Sequence, residues 1–134
     1  MLRYLLLMIA LLFMHSCKAQ NTAINRQTEL YIGQSLDFDN TIITLIDVKN
    51  DSRCPSDLTC MWSGSVLAII SIQKTGTPTV TKELTFGVNN INPKNPASLF
   101  QTKDKTIITH TIKPYPSSKK TFHKKDYYIE VLTQ

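Results

Sequence analysis

Asp51-Ser52-Arg53-Cys54-Pro55-Ser56-Asp57-Leu58-Thr59-Cys60-Met61-Trp62-Ser63-Gly64 joins two apolar, β-rich runs, Thr41–Val48 (TIITLIDV) and Ser65–Gln73 (SVLAIISIQ). The joining stretch holds the only tryptophan of the chain, two of its three cysteines and a concentration of turn-forming Asp, Ser and Pro. A polar connection of this kind between two strand patterns reads as a corner between core strands rather than as a helix.

Five residues separate Cys54 from Cys60. A zinc site built on a close cysteine pair needs a second ligand pair, and His110 and His123 do not supply one at ligand spacing. A redox pair takes the form Cys-x-x-Cys at a helix start. The reading that is left is a structural disulfide closing a seven-residue loop, worth about 2.4 kcal/mol on the loop-entropy relation. Trp62 follows Cys60 by two, so in extended chain both side chains share a face. Trp62 is expected to pack on the bridge or the adjacent core, the alternative being an exposed ring that stacks on a ligand. For Arg53, between Asp51 and the bridge, an ion pair or backbone contacts locking the loop compete with recognition of an acidic group. Gly64 permits a bulge or sharp bend ahead of the next strand.

Working outward, no sustained helical periodicity follows the N-terminal segment, whereas short strand patterns recur between Gly, Pro, Asn and Asp. They cover Glu29–Ile32, Leu36–Phe38, Thr41–Val48, Ser65–Gln73, Val80–Phe86, Thr106–Ile112, a short Thr121–His123 and Tyr127–Thr133. Asp39-Asn40 reads as a hairpin turn. Thr41–Val48 is largely apolar on both faces, which suits a strand buried on both sides for part of its length. Residues 87–101, with two Asn-Pro pairs, read as a loop. Tyr127, Ile129 and Val131 are predicted to face inward. Many short strands at this spacing make the domain an all-β antiparallel sandwich, with a small barrel as the alternative.

The N-terminus reads differently. One positive charge at Arg3 precedes the ten-residue apolar run Leu5–Met14, too short to span a bilayer and of signal-peptide length. Met14-His15-Ser16-Cys17 resembles the bacterial lipobox, which implies a signal peptide at 1–16 and lipidation of Cys17. Cleavage after Ala19 is the rival reading. Residues 17–27 are a polar tether and 28–134 the folded domain. A lipid-anchored Cys17 also leaves an even pair, Cys54 and Cys60, to be oxidised outside the cytoplasm. The expected partners are therefore the membrane, through the anchor, and an envelope protein or polysaccharide.

From Met61 onward there are ten lysines against four acids. The lysines are scattered and lack interleaved aromatics, which excludes a nucleic-acid-binding pattern. No Gly-x-Ser-x-Gly, phosphate loop or complete calcium loop occurs, and neither cofactor nor metal is implied.

Asp-Ser-Arg-Cys-Pro-x4-Cys-x-Trp-x-Gly over residues 51–64, followed downstream by Ile112-Lys113-Pro114-Tyr115-Pro116 and Asp126-Tyr127 before a last strand, resembles a family of small, uncharacterised bacterial envelope proteins and lipoproteins. The resemblance runs from about Thr41 to the end, and implies one fold unit and an envelope location without an activity. Ser63 stands where such proteins often carry Ala. The resulting expectation is a non-catalytic, envelope-anchored binding module with Arg53, Trp62 and Tyr115 as candidate binding residues. The alternative is an inhibitor of a secreted or periplasmic hydrolase acting through the 54–60 or 91–96 loop.

Overall fold

A computed structural model describes residues 26–134. The signal segment, Cys17 and the first part of the tether lie outside the described residues. Eight strands follow in order: β1 (Thr28–Tyr31), β2 (Ser35–Phe38), β3 (Thr41–Lys49), β4 (Ser65–Lys74), β5 (Val80–Gly87), β6 (Ala97–Gln101), β7 (Thr106–Lys113) and β8 (Tyr128–Thr133). A 3-10 turn, Lys124–Asp126, precedes β8. The strands form two four-stranded antiparallel sheets, β1-β8-β7-β6 and β2-β3-β4-β5. The sheets face each other and do not close, so the fold is a sandwich and not the alternative barrel.

The core lies between them. Val66, Ala68, Ile70 and Ile72 of β4 alternate inward as their spacing predicts, and meet Leu30, Leu99, Ile107, Ile112, Ile129 and Val131 of the opposite sheet. In β8, Ile129 and Val131 are buried and Tyr127 just before it packs against the same cluster. Burying a Val, Leu or Ile side chain contributes roughly 1.5–3 kcal/mol, so this layer is what holds the sheets together.

Strand β3 is not buried on both sides. Its register shifts between Leu45 and Asp47, making Ile46 the extra residue of a bulge. Thr41, Ile43 and Leu45 point inward before the bulge, and Val48 points inward after it. The bulge moves the alternation by one residue, and Ile42 and Ile46 are left on the outside. The same device explains a strand that the residue pattern conceals. Residues 97–101 form β6, paired with β7, although 87–101 read as loop. A register shift at Leu99 breaks the alternation there. Residues 121–123, by contrast, form no strand. The Asp126 carboxylate accepts the His123 N–H at 2.8 Å and turns the chain into the 3-10 turn.

Two poles result. At the lower pole the connections are tight, such as Asp39-Asn40, where both residues have positive φ (49° and 66°) as a two-residue hairpin requires. At the upper pole three long connections gather: 50–64, 88–96 and 114–127. The chain enters β1 from the lower side, because Thr28 pairs with Val131 near the end of β8 and Tyr31 with Tyr128 at its start.

Candidate functional site

The upper pole is built around a closed corner. Ser52 and Ser65 are tied by backbone and hydroxyl hydrogen bonds: Ser52 N–H to Ser65 O at 2.8 Å, Ser65 N–H to Ser52 Oγ at 3.1 Å. Gly64, with φ +66°, lets the two segments pass this closely. A Cβ at that position would run into the Ser52 carbonyl and the Arg53 Cα. The Cys54–Cys60 disulfide closes the loop, with Cα atoms 5.9 Å apart. The loop is then fastened to the 114–127 connection. Ser56 N–H donates to Pro116 O at 3.0 Å, and the Asp57 carboxylate accepts from the Ser118 N–H (2.9 Å) and hydroxyl. Those bonds hold the Asp57 carboxyl below the usual carboxylate range.

Arg53 is the hub and is buried, at 6% exposure. Its guanidinium makes a two-pronged pair with Asp51, Nε to Oδ1 at 2.8 Å and Nη2 to Oδ2 at 2.7 Å. It also donates to Ile112 O (3.0 Å) and Pro114 O (2.8 Å), and its Cζ lies 4.8 Å from the centre of the Tyr115 ring. The Tyr127 hydroxyl donates to Asp51 at 2.9 Å. Burial pushes the Asp51 carboxyl up, but the Arg53 hydrogen bonds and charge, with the Tyr127 hydroxyl, together hold it below its ordinary value. Burial, then the bond to Asp51, pushes the Tyr127 hydroxyl up. One residue thus joins the corner between β3 and β4 in one sheet to the end of β7 in the other.

Trp62 does the opposite. It is 62% exposed, with only its Nε1–H donating to Ser52 O at 3.2 Å. The expected packing on the bridge or core is not formed, because the backbone bonds at Ser63 and Ser52 and the positive φ of Gly64 turn the segment out of the extended geometry that would have aimed it inward. Met61, Leu58, Val88 and Tyr115 are also large, apolar and exposed, all on the upper connections.

Beside them opens a pocket of about 250 Å³ between β5 and β7. Phe86, Val88, Ile91, Pro93 and Ile112 give it apolar walls, while Arg53, Tyr115, Asn92 and His110 supply polar atoms. His110 reaches it because the β7 register shifts between Thr109 and Thr111, which makes His110 the extra residue of a bulge. Its Nδ1 is hydrogen-bonded to the Thr111 hydroxyl. Asn92 fixes the far wall, donating to Gly87 O, Val88 O and Asn90 O.

Of the three candidate binding residues, the structure brings Arg53 and Tyr115 together at the pocket and leaves Trp62 close by, one residue before Ser63 of the lining. Sequence reasoning missed Phe86, Val88, Ile91 and His110 as a set. The one local signal was Val88 and Ile91, two apolar residues inside an otherwise polar Asn-rich loop. Among the described residues no group of three or more His, Cys, Asp or Glu converges. His110 has the Thr111 hydroxyl as its neighbour, and the lining offers hydrogen bonding and apolar contact. In comparisons with protein-family models, curated proteins and solved structures, the chain finds no match in any of the three.

Proposed function

We propose that the chain is a non-catalytic binding module of the bacterial cell envelope, anchored through lipid on Cys17, which takes an apolar group of an envelope partner into the upper-pole pocket. The observation that carries this reading is the coincidence, at one pole, of the pocket and five exposed large apolar side chains: Leu58, Met61, Trp62, Val88 and Tyr115. Exposed apolar residues scattered singly need no explanation, but a cluster beside a pocket is the usual mark of an interaction surface. At about 250 Å³ the pocket is just under the roughly 300–1,000 Å³ of sites that enclose a small molecule. That size favours one inserted side chain or ring. The described chain enters β1 from the lower side, so the pocket lies at the end of the sandwich opposite the attachment of the tether.

The test compares wild-type chain with a Trp62→Ala/Val88→Ala/Tyr115→Ala variant as baits in envelope extracts. Partner capture is expected to vanish in the variant while its melting temperature stays close to wild type. Equal capture by both would contradict the reading. Mass spectrometry of the native N-terminus tests the anchor, and an unmodified N-terminus at Gln20 would exclude it.

A second reading, inhibition of a secreted or periplasmic hydrolase, is favoured by one observation. Leu58 is 54% exposed on a loop fastened by the disulfide and by Asp57 and Pro116. Such preorganisation reduces the entropy lost on insertion into an active site. Purified chain tested against proteases and lysozymes should then inhibit at micromolar concentration, and no inhibition would set this reading aside.

A further inference from the structure

The acids around the upper pole are all engaged internally. Asp51 pairs with Arg53, Asp47 with Lys124 (2.6 Å), and Glu130 with Lys113 (2.6 Å). Asp57 is held by Ser118, and Asp126 by the His123 N–H. The cations are not balanced in the same way. Lys94, Lys119 and Lys120 are exposed and make no ion pair among the described residues. Lys94 follows Pro93 of the pocket wall, and Lys119 and Lys120 continue the connection that supplies Tyr115. The amine of Lys120 sits over the Phe122 ring, 5.1 Å from its centre, a contact that leaves its charge available to an anion. The pocket is thus an apolar hollow, and two of the connections that line it, 88–96 and 114–127, carry lysines without an ion pair.

Resting on the pocket reading above, we infer that the occupant is an acidic segment of a partner protein, one apolar side chain seated in the pocket and flanking Asp or Glu carboxylates meeting Lys94, Lys119 and Lys120. The combination excludes the simpler anionic partners. A polysaccharide brings charge without an apolar group to fill the walls of Phe86, Ile91 and Ile112. A lipid surface brings both, but the pocket opens at the pole opposite the one where the described chain enters the fold. Only a polypeptide offers an apolar anchor and carboxylates at fixed, short spacing. The charges set partner choice and association rate more than final affinity.

A random-peptide library displayed on phage, panned against the chain purified in detergent, reads this out, with a Ser63→Trp variant that fills the pocket mouth as the counter-screen and Val88→Asn as a milder second. Both positions are exposed, so melting temperatures should be near wild type. The expected result is a pocket-dependent consensus of one large apolar residue flanked by Asp or Glu. Affinity for a synthetic peptide of that consensus should fall about tenfold in Lys94→Gln/Lys119→Gln/Lys120→Gln, the order three exposed charge pairs supply. It should also weaken as salt rises from about 0.01 M to about 0.15 M, where the Debye length shrinks from about 30 Å to about 8 Å. A pocket-dependent consensus without acidic bias, or one indifferent to the three lysines, overturns this inference and leaves the pocket reading standing. Enrichment that both pocket variants retain, or none at all, overturns both. Binding of the wild type to anionic vesicles with the same lysine dependence, and to no peptide, would replace the protein partner by a lipid surface.

Discussion

The two poles of the sandwich solve the same problem in different ways. At the lower pole strands are joined by short turns: Asp39 and Asn40 adopt positive φ, Thr77 N–H donates to Lys74 O, and Thr75 N–H ties one turn to the other at Asn40 O. The hollow there is about 350 Å³, larger than the upper one, yet lined by Asp39, Lys74, Gln101, Thr102, Lys103 and Asp104. At the upper pole the connections are long, and local turn chemistry cannot fix them. A glycine, a disulfide and a buried arginine do so instead: the disulfide closes the 54–60 loop, Gly64 lets the chain pass Ser52, and Arg53 reaches the end of β7. What differs between the poles is therefore not the space available but the bracing and the lining. Long connections held rigid by a scaffold are where binding surfaces are usually built.

The sharpest way to break this contrast is at two glycines of similar backbone. Gly64 (φ +66°) at the upper pole has backbone atoms where a Cβ would sit, whereas Gly76 (φ +80°) at the lower pole has open space. Gly64→Ala is expected to cost more than about 4 kcal/mol, enough to prevent folding. Gly76→Ala should cost only the left-handed backbone term, about 1–2 kcal/mol. Circular dichroism melts of the two variants measure the difference, and equal effects would show that the close approach at Ser52 is not needed.

Next in size is Arg53. Arg53→Ala leaves the partly buried Asp51 carboxylate and two backbone carbonyls without their donor, and breaking a buried pair costs about 3–5 kcal/mol. Arg53→Lys should recover only part of this, since one ammonium cannot reproduce the fork that spans Asp51, Ile112 O and Pro114 O. Denaturant titration with unchanged midpoint in Arg53→Ala would show that the hub is dispensable. The disulfide follows. Cys54→Ala/Cys60→Ala should lower stability by about 2.4 kcal/mol, or about 10–20 °C in melting temperature. A pair variant that melts with the wild type would show an idle bridge.

A smaller effect concerns pH. The Asp51 carboxyl titrates lower in the folded chain than in the unfolded one, whose aspartates titrate near about pH 3.9. As pH falls, the unfolded chain binds this proton first. The contribution is thus complete above about pH 5 and is lost from about pH 4 down through the depressed folded value. Melting temperature should be flat across neutral pH and fall on the acid side. Asp51→Asn should be less stable at neutral pH with a shallower acid limb, while an unchanged limb would assign the acid sensitivity to Asp47 and Asp57, which are held low by Lys124 and Ser118.

How much of this was legible in the residues follows the same division. The spacing in β4 and that of Ile129 and Val131 in β8 match their inward faces, because a regular strand has a period of two. Bulges at Ile46, Leu99 and His110 shift that period by one residue. They are decided by pairing with a neighbouring strand, which no single segment encodes. The two-sided reading of β3, the missed β6 and the unassigned His110 share that cause. Within 51–64 the disulfide and the ion-paired arginine were legible from residue types and spacing. The outward turn of Trp62 was not, since it depends on how Gly64 and Ser52 meet.

Arg53 and Trp62, nine residues apart in one loop, divide the roles: Arg53 braces the corner, and Trp62, largely exposed, is the residue proposed to meet a partner. The most direct test measures melting temperature and affinity for a pocket-selected peptide side by side in Trp62→Ala. The predicted result is a stability within about 0.5 kcal/mol of wild type and an affinity at least about tenfold weaker, the loss expected of an interface aromatic anchor. A variant that melts early yet binds the peptide as tightly as wild type would contradict the account.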